Sequence, residues 1–197
     1  MARRLFFSFH YQDDIFRVNT VRNSDVTKKN VEYSGYWDHS LWEEAKKKSP
    51  DELRKLINDG LKGTSVSVTL AGSKTYLRPW VRYEIAKSFE RGSGLLTVNI
   101  SGIKDAKTQL TSTQGPDPLE YLYYSIDAGG KSASLHQYVD GAWKSYMTIA
   151  TDSLSAAAKS AGKGRLSSLA TKHDWLLNDG YSNFARWIEA AAKAAGR

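Results

Sequence analysis

The 197-residue chain contains no cysteine, and its apolar runs are short. The absence of cysteine excludes disulfide frameworks, thiolate zinc sites, iron–sulfur clusters and a cysteine nucleophile. No stretch of about 18 residues is apolar enough for a membrane helix. After Arg3 and Arg4 an apolar run stops at Ser8, short of the roughly 7–15 residues that a signal peptide needs. We therefore expect a cytoplasmic protein that does not bind membranes.

Motifs of several enzyme classes are missing as well. No G-x-x-x-x-G-K-[ST] loop is present, and no G-x-G-x-x-G turn follows the first apolar run, which disfavours nucleotide-triphosphate and ordinary dinucleotide-cofactor chemistry. The G-x-S-x-G and H-E-x-x-H signatures of hydrolases and zinc peptidases are also absent. The histidines are widely spaced, so we expect no metal site; they are His10, His39, His136 and His173.

The composition is that of a globular protein with a basic surface. Hydrophobic residues make up 41% of the chain and charged residues 25%, which excludes wholesale disorder and suits a single domain. The 28 Lys and Arg outnumber the 21 Asp and Glu, leaving a net charge of +7. Such a charge favours phosphate-bearing partners. The cations are dispersed among acids rather than gathered in one stripe. Binding of nucleic acid is therefore the least favoured of the functions that we weigh below, and we expect no nucleic acid partner.

The first half of the chain alternates between strand and helix patterns. Apolar or alternating runs predict strands at 5–9, 64–70 and 95–100, with a short edge strand within 30–40. Helical spacing predicts helices over 15–29, from the Ser49 cap to about 61, and over 79–91. The polar segment 10–14 is predicted to be a loop that ends the first strand. Strands separated by such helices predict a parallel sheet with helices on both faces, an α/β fold.

The second half is less regular. Residues 101–117 are polar and contain Gly and Pro, which predicts a long loop. Asp140-Gly141 between two aromatic runs predicts a β-hairpin, and apolar residues from Phe184 to Ala195 at helical spacing predict a final helix. We therefore divide the chain into a core domain at 1–125 and a C-terminal extension at 126–197 that packs on the same domain.

The helix that begins at Pro79 carries the best catalytic candidate. Val81, Ile85 and Phe89 form its core stripe, and Glu84 lies about 60° from Val81, at the edge of the buried face. A carboxylate there is near the carboxyl end of a strand, where ligand crevices form in parallel sheets. The alternative is a surface glutamate paired with Lys87, and the pattern alone favours that alternative.

Several separated blocks resemble TIR domains. The segment Trp80-Val81-Arg82-Tyr83-Glu84-Ile85, between a Gly-Ser loop and a Gly-x-Gly turn, is similar to the catalytic-glutamate helix of that family. More closely, blocks in the same order resemble the ThsB family, the TIR proteins of the bacterial Thoeris anti-phage system. These blocks are 6–13, 16–19, 21–23, 40–43 and 80–85. The resemblance covers about residues 4–105.

The resemblance implies a flavodoxin-like fold with a five-stranded parallel sheet. It also implies an NAD glycohydrolase or ADP-ribosyl cyclase that cleaves the nicotinamide–ribose bond and forms a cyclic ADP-ribose isomer. That product would signal to a ThsA-type effector, and a phage-derived trigger with self-association would activate the enzyme. NAD is then a substrate, and no cofactor is expected. A non-catalytic TIR-like signalling or scaffold module is the alternative from another class.

Through this resemblance Glu84 is expected to be the catalytic residue. The expected substrate-binding residues follow the first strand, belong to the second-strand region or adjoin Glu84: Ser8, Phe9, His10, Tyr11, Asp38, Trp42 and Trp80. Arg17 and Arg22 are candidates for contact with the pyrophosphate. Core packing is the alternative role of the aromatic residues in this set.

Overall fold

The structure is a computed structural model that describes residues 3–24, 27, 31–33, 47 and 49–197. Short 3-10 helices lie at Thr75–Leu77, Pro118–Tyr121 and Leu166–Leu169. The other described elements are, in chain order, β1 (Arg3–Phe9), α1 (Tyr11–Asn23), β2 (Val31–Tyr33), α2 (Pro50–Gly60), β3 (Val66–Ala71), α3 (Pro79–Glu90), β4 (Gly94–Asn99), β5 (Leu122–Ile126), β6 (Ser132–Val139), β7 (Ala142–Ala150), α4 (Ala156–Ala161), β8 (Lys163–Arg165), β9 (Ala170–Asp174) and α5 (Gly180–Ala194).

The strands form two sheets. The main sheet has the order β2-β1-β3-β4-β9, and all its neighbouring strands run parallel. The second sheet is antiparallel, with the order β7-β6-β5-β8. The predicted α/β class, a parallel sheet flanked by helices, is confirmed.

Helices cover both faces of the main sheet. On one face, Val18 and Val21 of α1 and Phe184 and Ile188 of α5 pack against alternate residues of β1, β3 and β4. On the other face, α2 packs against Phe6 of β1, and α3 lies between the main sheet and the antiparallel sheet. Successive strand residues point to opposite faces, so each central strand contributes to both cores.

Local signals explain where several elements begin. Ser49 caps α2, its hydroxyl accepting a hydrogen bond from the Glu52 N–H at 3.2 Å, and Pro50 occupies the first turn. The predicted hairpin is confirmed: β6 and β7 pair across Asp140 and Gly141, whose φ angles are 54° and 77°. Two positive φ values match the turn that suits a two-residue hairpin. The predicted final helix is confirmed as α5.

The prediction of a loop at 10–14 is wrong, because α1 begins at Tyr11 directly after the strand. Asp13 and Asp14 lie in its first turn, where the partial positive charge of the helix N-terminus stabilises carboxylates. The helix ends at Asn23, earlier than the predicted residue 29.

The C-terminal part contributes a strand that no pattern in the sequence predicts. β9 pairs in parallel with β4 at the edge of the main sheet. Its sequence, Ala-Thr-Lys-His-Asp, has little apolar character, because an edge strand requires less burial than a central one.

Among the described residues, no helix combines the length and apolar character needed to cross a bilayer.

Candidate functional site

Glu84 lies between α3 and the main sheet, and its side chain is almost fully enclosed, with 6% of the residue exposed. Its Oε2 accepts a hydrogen bond from the hydroxyl of Ser8, the penultimate residue of β1. The expected position at the edge of the buried face is therefore wrong, since the carboxylate points inward. Lys87 pairs with Glu90 instead, which removes the surface-pair alternative.

Burial sets the protonation of Glu84. Loss of solvation raises the pKa of this carboxyl to about 8, and the hydrogen bond from Ser8 lowers it by less. The side chain therefore holds its proton at neutral pH in the free protein. A cation brought against it favours the charged form. A strongly perturbed carboxylate at the carboxyl edge of a parallel sheet is a candidate catalytic group.

A row of hydroxyl groups lies on the same face of the sheet. Ser8 is in register with Thr69, and Thr69 with Thr97, so their side chains share one face. At the far end of the row, Thr97 donates to Asp117 Oδ1 at 3.0 Å. Thr69 and Thr97 were not among the residues expected from the sequence. Hydroxyl side chains at alternate positions of otherwise aliphatic strands are the signal that could have identified them.

The two carboxylates on this face differ in their hydrogen bonds. Asp117 Oδ1 also accepts from the Leu119 N–H at 3.0 Å, at the start of a 3-10 helix, so its role is structural. Burial raises the pKa of Asp117 as well. Within the described part of the chain, Ser8 is the one donor to the Glu84 carboxylate. Glu84 therefore retains acceptor capacity for a ligand.

The residues after Ser8 line the carboxyl end of β1. His10 is buried, and its Nδ1 lies 3.3 Å from Asp13 Oδ2. Burial lowers the pKa of His10, and the nearby Arg78 charge lowers it further, so the imidazole is neutral at pH 7. Phe9 and Tyr11 are half-buried, with ring centroids 6.3 Å apart. Their expected contact with substrate stays a prediction.

Of the other expected substrate contacts, the structure describes Trp80 alone. Trp80 is half-buried on α3, where its ring meets Tyr83 edge-on at 5.9 Å and packs on the cluster around Phe6. Asp38 and Trp42 lie outside the described residues. A role in substrate binding stays a prediction for all three expected contacts.

Arg17, expected to contact a pyrophosphate, is buried and bonded to backbone. Its Nε donates to the Ile103 carbonyl at 3.0 Å and its Nη2 to the Leu110 carbonyl at 3.1 Å. It therefore holds the loop at 101–117 against α1. Arg22 Nη1 lies 3.4 Å from Asn19 Oδ1 on the same helix. The pyrophosphate contacts stay predictions.

Asp14 secures the loop that leads into α3. It is 1% exposed and accepts from the Thr75 hydroxyl at 3.4 Å, and that hydroxyl accepts from the Gly72 N–H at 2.9 Å. Burial raises the pKa of Asp14 to about 6 despite the opposing charge of Arg17. A Cβ at Gly72 would lie 2.1 Å from Asp14 Oδ2, so the loop requires glycine.

Among the described residues, no three acidic or histidine side chains are grouped to hold a metal ion.

Two comparisons with known proteins bear on this site. The family model described as "Thoeris protein ThsB, TIR-like domain" matches residues 6–105, a range that contains both Ser8 and Glu84. A curated protein of Bacillus cereus (strain MSX-D12), named "Putative cyclic ADP-D-ribose synthase ThsB1", is 45% identical over 192 residues. That alignment covers 95% of this chain and 100% of the relative, so the similarity extends well beyond the range matched by the family model into the C-terminal part.

Proposed function

We propose that this chain, which belongs to the Thoeris ThsB family of TIR-like proteins, converts NAD into nicotinamide and a cyclic ADP-ribose isomer. The observation that carries the proposal is the buried Glu84 carboxylate, hydrogen-bonded to Ser8 at the carboxyl edge of β1. The name of the Bacillus cereus relative supports a cyclic product.

One carboxylate suffices for the cleavage step. The nicotinamide of NAD is already cationic, so it leaves with the electron pair of the broken C1′–N bond and needs no general acid. The transition state resembles an oxocarbenium ion. Glu84 would bind the ribose hydroxyls and stabilise the developing positive charge, and Ser8 would hold the carboxylate in place.

The product depends on which nucleophile reaches C1′. A lone pair of an adenine ring nitrogen or of a distal ribose hydroxyl forms the new bond. The hydroxyl releases its own proton to water, whereas the ring nitrogen carries none, so the adenine becomes cationic until its exocyclic amino group releases a proton to water. Water in that position would give linear ADP-ribose instead. A folded dinucleotide places the internal nucleophile at high effective concentration, so proximity favours the ring.

Substrate binding would also adjust the charge of Glu84. The positive nicotinamide ring favours the ionised carboxylate, opposing the effect of burial. The free protein would therefore hold Glu84 neutral, and the complex would hold it charged. We further propose that activity stays low until a phage-derived trigger arrives. We propose that the product then signals in the cytoplasm to a ThsA-type effector.

The decisive experiment incubates the purified protein with NAD, with and without lysate of phage-infected cells, and identifies products by chromatography and mass spectrometry. We expect nicotinamide and a cyclic isomer from the wild type with lysate. Glu84→Gln should abolish both products, and Glu90→Gln, on the same helix, should retain them. Equal turnover by Glu84→Gln would overturn the catalytic assignment. A folded wild type that never consumes NAD would favour the non-catalytic signalling module.

A further inference from the structure

A groove of about 510 Å³ separates β7 from α2 and α3. The described residues that line it are Arg54, Pro79, Trp80, Tyr83, Lys87, Tyr146, Met147 and Thr148. Neither Ser8 nor Glu84 is among them, so the groove does not contain the Ser8–Glu84 pair, and Trp80 is the one expected substrate contact that lines it. Its volume falls within the range of about 300–1,000 Å³ that is usual for binding clefts.

The groove runs along the edge of a strand. Tyr146, Met147 and Thr148 are consecutive in β7, and Tyr146 is the extra residue of a β-bulge, since Leu135 pairs with Met147 and His136 with Ser145. Among the described lining residues β7 is the one strand that contributes, so the groove borders the outer side of this edge strand. β7 has nine residues and is the outermost strand of its sheet. In the part of the chain that the structure describes, no strand pairs with this outer edge.

An unpaired strand edge recognises one kind of ligand. Its free N–H and C=O groups form a ladder that an extended polypeptide can complete. The bulge at Tyr146 divides the nine-residue edge into two stretches of four residues, and each offers about 13 Å of ladder at about 3.3 Å per residue. The hydrogen-bonding pattern thus specifies an extended peptide, and the facing wall of the groove determines which side chains it accepts.

That facing wall is aromatic and cationic. The Trp80 and Tyr83 rings meet edge-on at 5.9 Å, and Asn58 Nδ2 donates to the Tyr83 hydroxyl at 3.0 Å. Arg54 and Lys87 also line the groove, and no carboxylate does so among its described lining residues. Apolar contact and positive charge together favour a peptide in which acidic and apolar side chains alternate.

Both cations of the facing wall already have a carboxylate partner on their own helix. Arg54 pairs with Asp51 at 2.7 Å and Lys87 with Glu90, both three residues away on the same helix. The Arg54–Asp51 pair is exposed, and pairs of that kind contribute at most about 1 kcal/mol. The carboxylate of a bound peptide can therefore replace Asp51 at little cost, whereas the part-buried Lys87–Glu90 pair adds positive charge to the wall without having to break.

We propose that β7 binds an extended, acidic–apolar segment of a partner protein by strand addition in this groove. The acidic side chains of the segment contact Arg54 and Lys87, and its apolar side chains contact Trp80, Tyr83 and Met147. The interaction does not require the Glu84 carboxylate, because it rests on the strand edge and on a wall that does not contain Glu84.

A display experiment tests the proposal. The full-length wild type and Arg54→Glu are each used to select from an mRNA-displayed library of random dodecapeptides. Lys62→Glu is the matched control, because Lys62 also pairs with an aspartate three residues away, at 2.6 Å, but does not line the groove. We expect acidic–apolar peptides that bind the wild type and the control and bind Arg54→Glu at least tenfold more weakly.

Hydrogen exchange then locates the bound peptide. The selected peptides should slow amide exchange in β7, whose outward N–H groups they would pair. Peptides that bind Arg54→Glu equally well, peptides that leave β7 exchange unchanged, or a selection without enrichment would overturn the proposal. A wild-type dimer that Arg54→Glu dissociates would assign the edge to a second copy instead. NAD turnover by Arg54→Glu, measured separately, should equal that of the wild type.

Discussion

Glu84 illustrates how much the environment of a single side chain decides. The helical pattern placed this residue on the boundary between buried and exposed, and a surface pair with Lys87 was the simpler interpretation. In the structure the side chain turns inward to Ser8, and burial raises its pKa to about 8. Its protonation therefore depends on the strands beneath α3, and the sequence of the helix alone does not reveal it.

The first prediction concerns stability. Between pH 4.5, the ordinary pKa of a glutamate, and about 8, the folded protein retains a proton on Glu84 that the unfolded chain releases. Stability therefore falls as pH rises through this window. Glu84→Gln removes that loss. Its free energy of unfolding, from urea denaturation, should match the wild type near pH 4.5 and exceed it by about 5 kcal/mol above pH 8. A difference that stays constant from pH 4 to 9 would contradict this prediction.

The second prediction concerns the pH dependence of activity. If only the ionised Glu84 is productive, kcat/KM rises as pH rises through about 8. Ser8→Ala removes a hydrogen bond that lowers the pKa of Glu84, so this rise should move to higher pH. Ser67→Ala is the control, because the Ser67 hydroxyl is buried but has no hydrogen-bond partner among the described residues. Coincident profiles for Ser8→Ala and the wild type would exclude the role of Ser8.

At the scale of elements, local patterns located most helices and strands. Ser49 and Pro50 marked the start of α2, and Asp140-Gly141 marked the β6–β7 turn, because capping and turn chemistry act over a few residues. The start of α1 was misplaced because its first turn is polar and resembles a loop. Acidic residues are also favourable at a helix N-terminus, so the same letters fit both structures.

The third prediction concerns the packing of α5 on β4. A Cβ on Gly94 would lie 2.3 Å from the Ala191 carbonyl oxygen, a backbone atom of α5. Gly94→Ala should therefore force the helix away and lower the free energy of unfolding by about 1–3 kcal/mol. Gly129→Ala, where a Cβ would meet nothing within 4 Å, is the control. Equal urea midpoints for the two variants would show that α5 accommodates the methyl group without cost.

For the whole molecule, the C-terminal part completes the main sheet rather than only decorating it. β9 pairs with β4, and Phe184, Trp187 and Ile188 of α5 join the core formed by β1, β3 and β4. Arg3 in β1 also binds Glu189 in α5 through two hydrogen bonds. Both the edge of β4 and one face of the sheet thus depend on residues after position 169.

The fourth prediction follows from that dependence. A fragment of residues 1–125 would expose the core surface that α5 covers, so we expect it to lack cooperative unfolding. Circular dichroism during thermal melting, with the full chain as the reference, measures this directly. A fragment that melts in one sharp transition would establish the core at 1–125 as an independent domain.

The sequence by itself determined the alternation of strands and helices, the hairpin, the amphipathic final helix and the family to which the Glu84 helix belongs. These features are local, because periodicity, turn residues and motif spacing are properties of short segments. Only the tertiary structure decided that Ser8 bonds Glu84, 76 residues away, that the hydroxyls of three strands form one row, and that β9 completes the main sheet. Register and burial arise from contacts between distant segments, and no local pattern carries that information.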